Sequence, residues 1–372
     1  MRTIVTAAAV LGCLGLGCLT AGCAQFGPNS MKSGRVLYNH ALAETSSEQL
    51  LLNIVRLKYR DVPVFLEVTS VSTNLTFAAQ LQPEVAIFEG PGNDGIDGTI
   101  GSLSYEEQPT ITYLPLQGER FVRQLLTPIT ADQIELLYYS GWSVDRILRV
   151  CVQRLGSFRN APSASGPTPA YAPEFEEFRE VSMLLRELQV AGGLSVGRAA
   201  LPDGDPERPA LVIEVDRTYF DPADDARFVE LLNLEEEGDR NLRVVLTDGF
   251  VDGNPRTVTM VTRSVMGAMF YLAQGVEPPE RDREVGRVTV TRGPDGERFD
   301  WDELLGGLFK VREGEDRPAN AYASVRYRDR WFWIDDADLT TKSTFSLLNQ
   351  LLALQAGEFE SRGPILTLPV GN

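Results

Sequence analysis

The first 23 residues limit how this chain can fold, because they separate a short apolar leader from a much longer remainder. Arg2 supplies one positive charge, and the stretch from Ile4 to Leu19 is apolar and rich in small residues. This length matches a secretory signal peptide and is short for a membrane-spanning helix. We therefore expect this leader to be removed and the fold to be built from the residues that follow it.

The leader ends in Leu19-Thr20-Ala21-Gly22-Cys23, which resembles the lipobox of bacterial lipoproteins. In that family the cysteine thiol receives a diacylglycerol, the peptide is cut before the cysteine, and a further acyl chain is added at the new N-terminus. Two or more chains anchor a protein stably to a bilayer. The resemblance therefore implies removal of residues 1–22 as a signal peptide, lipidation at Cys23 and a membrane as partner; an ordinary secretory signal is the alternative.

Other features of the leader support Cys23 over the two earlier cysteines. Cys13 would leave too short an apolar region, and Cys18 has the bulky Leu16 where a smaller residue is preferred. Ala24 rather than aspartate follows Cys23. By the same resemblance, this implies a lipid-anchored protein in the cell envelope, at the outer membrane and facing the periplasm.

Charge and histidine content exclude several classes of function. The chain has 35 basic and 52 acidic residues, a formal charge of −17, which becomes −18 once Arg2 is removed with the leader. Such a chain has no basic field with which to bind nucleic acid. His40 is the single histidine, so imidazole-based catalysis and metal binding have little to work with. We predict no cofactor, no metal and no catalytic residue.

The small number of cysteines indicates that the stability of the folded protein comes from its apolar core rather than from disulfide bonds. After Cys23, only Cys151 remains, and it cannot pair with an acylated cysteine. No disulfide framework is therefore expected. Cys151 lies among apolar residues at helical spacing, which favours a small buried side chain over a reactive thiol.

The pattern of apolar residues predicts an α+β fold with mixed helices and mainly antiparallel strands, because helices and strands follow one another without a regular βαβ order. Helices are predicted from Ser46 to a stop at Asp61, and at Gly118–Leu126, Ala131–Tyr139, Val144–Leu155, Glu174–Val190, Ser264–Gln274 and Lys342–Gln355. Capping-box spacings from Ser46 to Gln49 and from Thr130 to Gln133, and a serine cap at Ser264, indicate three of these helix starts. Strands are predicted at Phe65–Leu81, Thr110–Leu116, Leu211–Val215, Leu242–Leu246, Val258–Val261, Val285–Thr291, Tyr322–Ile334 and Ile365–Leu368.

One proline-rich segment predicts a division of the body into two regions. Residues 157–173 contain four prolines together with several small residues, which is typical of a linker. The resulting scheme has a tether at 23–40, an N-terminal α+β region at 41–156 and a C-terminal α+β region at 174–372.

Two glycine-containing motifs match catalytic or nucleotide-binding patterns only superficially. Gly193-Leu194-Ser195-Val196-Gly197 matches G-x-S-x-G, but a helix precedes it and the only histidine lies far upstream, so a glycine cap and turn is favoured. Residues 90–95 match G-x-G-x-x-G without a good helix after them, which favours a surface loop. A weak calcium site formed by Asp94 and Asp97 is the alternative for this loop.

A second acidic group follows the last predicted hairpin. Asp335, Asp336 and Asp338 come directly after the strand Trp331–Ile334. Acidic groups at strand ends can hold a hard cation or act as acids. Chance clustering among 52 carboxylates, with Asp338 capping the next turn, is the favoured interpretation.

The predicted hairpin Tyr322–Ile334, which turns near Arg328-Asp329, is bulky and apolar on both faces. Trp331 and Trp333 point one way, and Phe332 and Ile334 point the other. One face must be core, and the other is either covered by a helix such as Lys342–Gln355 or exposed as a docking or sugar-stacking surface. Trp331, Trp333 and Tyr327 are therefore the candidate binding surface, although coverage is the commoner outcome.

Two hypotheses for function follow. The first is a membrane-anchored envelope lipoprotein that acts as a non-catalytic accessory, scaffold or binding protein for another envelope protein. The second is a periplasmic hydrolase that uses two carboxylates on cell-wall or exported glycans and stacks sugars on Trp331 and Trp333. The phrases Arg263–Gly267 and Tyr327–Asp336 are similar to stretches of uncharacterised bacterial envelope proteins, a likeness that implies a class and no activity.

Overall fold

The computed structural model describes residues 26–82, 100–116, 118–199, 210–232, 241–247 and 257–356. The helices are α1 Phe26–Lys58, α2 Glu119–Leu126, α3 Ala131–Tyr139, α4 Val144–Cys151, α5 Glu176–Ala191, α6 Pro222–Leu232, α7 Val265–Ala273, α8 Glu280–Glu284, α9 Trp301–Leu305 and α10 Leu339–Ala356. The strands are β1 Leu66–Gln82, β2 Ile100–Pro115, β3 Val152–Leu155, β4 Phe158–Arg159, β5 Leu194–Ala199, β6 Ala210–Asp216, β7 Asn241–Thr247, β8 Thr257–Thr262, β9 Arg312–Gly314, β10 Ala321–Tyr327 and β11 Arg330–Asp335.

The chain forms two compact units, and the smaller one is Val64–Phe121. It contains the antiparallel hairpin β1–β2, whose register runs from Leu66 opposite Pro115 to Gln82 opposite Ile100. At its base, the rings of Phe65 and Phe121 meet edge to face with centroids 5.5 Å apart. This contact and the buried Phe65 give the open end of the hairpin a small apolar base.

The larger unit consists of Met1–Pro63 with Val122–Asn372 and contains two sheets. The six-stranded sheet has the order β4-β3-β8-β7-β6-β5, and all its pairings are antiparallel except the parallel pair β7–β8. The three-stranded sheet β10-β11-β9 is antiparallel throughout. The predicted α+β class with mainly antiparallel strands is therefore confirmed.

The predicted linker at residues 157–173 lies inside the larger unit and does not separate two regions. Strand β4 and a 3₁₀ turn at Pro162–Ser165 fall within it, and Ala161 and Ala164 are completely buried. Strand β3 before this segment pairs with β8 far beyond it. The predicted division into 41–156 and 174–372 therefore differs from the one in the structure, where Val64–Phe121 is the separate unit. Pro162 begins the 3₁₀ turn of this packed segment.

The first helix is longer than predicted. It begins at Phe26, within the predicted tether, and passes through Ser46 without a break. The hydroxyl groups of Thr45 and Ser47 donate to carbonyl oxygens of Ala41 and Ala43 one turn earlier. Hydroxyls bonded in this way sit inside a helix rather than at its start, so the capping-box spacing at Ser46 does not mark a boundary.

Two other predicted elements differ from the structure. The predicted helix Val144–Leu155 ends at Cys151, because the side-chain amide of Asn160 donates to the carbonyl oxygens of Arg149 and Val152 and stops the helix there. Residues 285–291 form no strand. A turn with Gly286 at φ +73° follows α8, and a left-handed residue interrupts an extended run.

Several local predictions are confirmed. Thr130 and Gln133 form the reciprocal capping box of α3, and Ser264 caps α7 through the main-chain N–H of Gly267. The hairpin turns at Arg328 and Asp329, both with positive φ. The predicted strand Ile365–Leu368 lies outside the described residues. In the described part of the chain, no helix is both long and apolar enough to cross a bilayer.

Candidate functional site

The C-terminal end of α1 connects several segments of the larger unit. Each of four consecutive residues, Lys58 to Asp61, bonds to a different part of the chain. Lys58 donates to Gln274, Tyr59 donates to Asp282, Arg60 donates to Thr289, and Asp61 accepts from Tyr327 and Arg328. The helix end thus joins the segment after α7, helix α8 and the hairpin β10–β11.

Lys58 is buried because it continues the apolar stripe of α1. Leu51, Ile54 and Val55 are fully buried on this helix, and Lys58 follows at the next helical spacing with 7% of its surface exposed. Its Nζ lies 3.2 Å from Oε1 and 3.4 Å from the carbonyl oxygen of Gln274. A cation is therefore placed where the sequence pattern calls for an apolar side chain.

A cavity of about 400 Å³ lies beside this amine. Gln274, Gly275 and Val276 form one wall, and Phe299 and Trp301 contribute aromatic surface. The two rings meet edge to face with centroids 5.2 Å apart, and Lys58 Nζ lies 5.9 Å from the Trp301 ring. A volume of this order matches a small organic ligand rather than one water molecule.

The electrostatic environment of Lys58 disfavours its charge. Burial, together with the nearby positive charge of Arg283, lowers the pKa of Lys58 to about 7. Within the described part of the chain, Lys58 bonds only to Gln274 and has no ion-pair partner. The amine can therefore be charged or neutral near physiological pH.

The carboxylates that line the cavity have partners of their own. Glu277 and Asp302 each lie 2.9 Å from Nζ of Lys310. Asp300 accepts a hydrogen bond from the main-chain N–H of Asp302 at the start of α9. None of these contacts involves Lys58, so the acidic side of the cavity is held by Lys310 and by a helix cap.

A second buried polar contact lies next to Lys58 in sequence. Tyr59 Oη donates to Asp282 Oδ2 at 2.7 Å. Burial and the bond to Asp282 raise the pKa of Tyr59, so its phenol stays protonated. Tyr59 therefore fixes α8 against the end of α1 rather than serving as a base.

The structure separates the three residues of the predicted binding surface. Tyr327 lies on the inner face of the hairpin, where its ring meets that of Tyr59 with centroids 5.5 Å apart and its hydroxyl donates to Asp61. Trp331 and Trp333 lie on the outer face and are half-buried. Tyr327 therefore packs against the residues that follow α1, and it does not share a surface with the two tryptophans.

The inner face of the hairpin is the core face. Phe332 and Ile334 are completely buried, and the ring of Tyr59, the residue that follows α1, meets the Phe332 ring with centroids 6.3 Å apart. On the outer face, Trp333 lies over Gly314, where an added Cβ would come within 3.2 Å of two ring atoms. Arg317 stacks over Trp331 at 5.5 Å. The outer aromatic face is thus partly covered by strand β9 and the segment after it.

The carboxylates beside this aromatic face are not arranged as an acid–base pair. Glu313 and Glu315 flank Gly314, the partner of Trp331 in the sheet, and both accept hydrogen bonds from Arg330. Glycoside hydrolysis needs two carboxyl groups free to meet the substrate. This geometry does not favour the hydrolase hypothesis at Trp331.

The acidic group after β11 has a structural role. Asp338 accepts from the main-chain N–H and the hydroxyl of Thr341 at 3.0 and 2.7 Å, which caps α10 as anticipated. Asp336 pairs with Lys342 at 2.6 Å. Among the described residues, no group of three or more His, Cys, Asp or Glu side chains is placed to hold a metal ion. Asp94 and Asp97 lie outside the described residues.

The remaining candidates have structural roles too, where the structure describes them. Cys151 is completely buried, and burial raises the pKa of its thiol to about 12. Ser195 is exposed on β5 after Gly192 ends α5 in the left-handed conformation, which confirms the glycine cap. Cys23 and residues 90–95 lie outside the described residues.

Sequence reasoning missed Lys58 although a signal was present. Lysine at the position that continues the stripe of Leu51, Ile54 and Val55 departs from the amphipathic pattern. The cavity wall at Phe299 and Trp301 comes from a segment more than 200 residues away, and the sequence carries no trace of that contact.

No protein-family model, curated protein or solved structure matches this chain.

Proposed function

We propose that this chain is a lipoprotein of the cell envelope, anchored in a membrane at Cys23, whose body acts as a non-catalytic accessory or binding protein. One observation carries the proposal: α1 begins three residues after Cys23 and ends in the core of the larger unit. A lipid on Cys23 would thus be joined to the folded body by one helix.

The exposure of α1 supports this arrangement. From Arg35 to Ser46, every residue is exposed except Tyr38 and Leu42, which are half-buried. This stretch spans about 18 Å of helix. From Leu50 to Tyr59, most residues are buried. The helix would therefore hold the body away from the lipid surface while being fixed firmly at its far end.

The charge of the body agrees with such a position. With 52 acidic residues against 34 basic ones from Cys23 onward, the body would be repelled by anionic head groups. An anchored body of this charge would stay in the aqueous layer beside the membrane. There it would be available to another envelope protein.

The anchoring is tested by expressing the full precursor and its Cys23→Ala variant in a bacterium that processes lipoproteins. We expect the native protein to sediment with membranes and its N-terminal peptide to carry the mass of the lipid. The variant should lose both properties. Cys18→Ala is the matched control and should remain acylated; acylation and membrane sedimentation of Cys23→Ala would contradict the proposal.

The binding role is tested on the anchored protein in cells. A photo-crosslinking residue in place of Arg326, which lies opposite Trp331 on the outer face of the hairpin, reports on a partner there. Arg159, exposed to a similar degree, is the control position. We expect one discrete cross-linked product from position 326 alone; equal products from both positions, or none from either, would contradict a specific contact at this face.

A further inference from the structure

The Lys58 cavity contains a charge that the protein leaves unbalanced. Nζ of Lys58 is shielded from solvent and, within the described residues, it donates hydrogen bonds only to the neutral oxygens of Gln274, with the Trp301 ring 5.9 Å away. Placing an amine in such a site is costly unless something compensates for its charge. The cavity beside it offers room for a compensating group.

A second cation borders the same cavity. Arg283 lines it, and Nη1 of this arginine lies 2.6 Å from Glu280. Glu280 is shared, because Nη1 of Arg298 lies 3.1 Å from the same carboxylate oxygen. Two arginines therefore share one carboxylate at the rim, and Lys58 has none below them. An anion that enters the cavity would meet the charges of Arg283 and Arg298 first and then the buried amine of Lys58.

The walls of the cavity determine what else a ligand must carry. Phe299 and Trp301 present aromatic surface and Val276 adds an aliphatic group, within a lining that is otherwise mostly polar. Binding pockets for small molecules combine apolar walls with few polar contacts that fix orientation. A flat apolar group would pack against these rings while its charged end reached Lys58.

We propose that this cavity binds a small organic anion, a carboxylate or phosphate carried on a flat apolar group, with Lys58 as the direct contact and Arg283 as the second cation. Protonated Lys58 would donate to the anion with the N–H groups that Gln274 does not use. The bound anion would favour the charged amine in turn, because opposite charges in a buried site stabilise each other's ionised forms.

The acidic residues of the cavity do not oppose this assignment. The ionisable groups that line the cavity or pair with its lining residues are Glu277, Glu280, Asp300, Asp302, Arg283, Arg298 and Lys310, and Glu280 is the carboxylate that the two arginines share. Lys310 holds two of the three carboxylates that line the cavity, and the third caps a helix. Each acid thus has a hydrogen-bond or ion-pair partner of its own, whereas Lys58 has no charged partner among the described residues.

The test uses benzoate and phenyl phosphate as probes on the full chain, followed by isothermal titration calorimetry, with benzamide as a neutral molecule of the same shape. We expect saturable one-to-one binding of an anionic probe and much weaker binding of benzamide. Lys58→Met, which keeps the length and apolar stem of the side chain, should weaken binding at least about tenfold, the usual effect of losing a charged hydrogen bond. Arg283→Gln should weaken it less.

Two controls keep the test independent of folding. Lys342→Met removes a lysine that pairs with Asp336 and lies over the Tyr322 ring, neither of which lines the cavity, and it should leave binding unchanged. In the native chain, benzoate is ionised throughout neutral and alkaline pH, so its affinity should fall from about pH 6 to about pH 9 as Lys58 loses its proton. Arg283→Gln should show the same kind of fall at higher pH, because the nearby charge that helps to lower the pKa of Lys58 is gone.

The contradicting results are equally definite. Binding of benzamide as tight as benzoate would show that charge is not recognised. Equal affinity of the native and Lys58→Met chains for benzoate, or no saturable binding of either anionic probe, would overturn the proposal. These outcomes do not depend on Cys23, so they leave the anchoring proposal to its own experiment.

Discussion

The guanidinium carbon of Arg263 lies 4.0 Å from the centroid of the Tyr271 ring, and both side chains are almost completely buried. Burial lowers the pKa of Arg263 to about 10, yet the guanidinium has many partners. It donates to the hydroxyl of Ser165 and to the main-chain carbonyl oxygens of Arg149, Val150, Val152 and Asn160. Arg263 thus closes the C-terminal end of α4 and joins it to the turn at Pro162–Ser165.

Replacing Arg263 by methionine should destabilise the protein by about 3 kcal/mol or more, because several buried carbonyl oxygens would lose their donor at once. Urea unfolding followed by circular dichroism measures the loss. Arg227→Met is the matched control, since Arg227 pairs with Glu180 and Glu230 at a partly exposed site and should cost less than about 1 kcal/mol. Equal losses in the two variants would contradict the role given to Arg263.

Lys58→Met should be more stable than the native chain at about pH 6. Lys58 has a pKa of about 7 in the folded chain and about 10.4 when unfolded, so between these values the unfolded chain binds the extra proton. Native stability should therefore rise with pH in this window, and the advantage of the variant should shrink toward about pH 10. Urea unfolding at a series of pH values measures both curves; curves that stay parallel would rule out a depressed pKa.

Asp282→Asn should destabilise the protein at neutral pH by about 2 kcal/mol. Burial opposes ionisation of Asp282, but hydrogen bonds from Tyr59 and Arg287 outweigh it and hold its pKa below the usual value. A depressed folded pKa gives stability that is present above the unfolded pKa of about 3.9 and is lost as the pH falls through the folded pKa. The difference between the two chains should therefore shrink in acid.

The measurement for Asp282 is urea unfolding from neutral pH down to the acid limit of the native fold. Asp336→Asn serves as the control, because Asp336 forms an exposed pair with Lys342 that should contribute less than about 1 kcal/mol. A difference between native and Asp282→Asn that stays constant or grows in acid would contradict the assignment.

Gly275→Ala should destabilise the protein by about 1–3 kcal/mol, because the added Cβ would come within 2.6 Å of the carbonyl oxygen of Phe309. Gly166→Ala is the matched control: no atom lies within 4 Å of its added Cβ and its φ is −139°, so it should change stability by less than about 0.5 kcal/mol. Thermal unfolding compares the two, and similar melting temperatures would contradict the close approach.

Much of the fold could be predicted because local signals were strong. The capping box at Thr130, the serine cap at Ser264 and the turn at Arg328-Asp329 are all confirmed. In each case, neighbours within a few residues supply the hydrogen bonds or conformations that define the boundary. Such contacts are written directly in the sequence pattern.

The errors arose where distant residues decide the structure. The end of α4 depends on Asn160 and Arg263, and the packed turn at 157–173 depends on strands that come together from both sides of it. The candidate site is similar: Lys58 could have been noticed on its apolar stripe, but Trp301 and Arg283 reach the same cavity only through tertiary packing. Residues 1–25 lie outside the described residues, so the removal of the leader and the lipidation of Cys23 stay predictions.

The pairing of β3 with β8 has a consequence for how the molecule is made. Leu155 and Met260 are partners in the sheet although about a hundred residues separate them, so a ribosome must deliver the later strand before the earlier one has a neighbour on that side. A chain whose synthesis has not reached β8 therefore exposes an unpaired edge at β3, which could pair with another chain. A chaperone that covers this edge would have to stay bound until strand β8 has been synthesised.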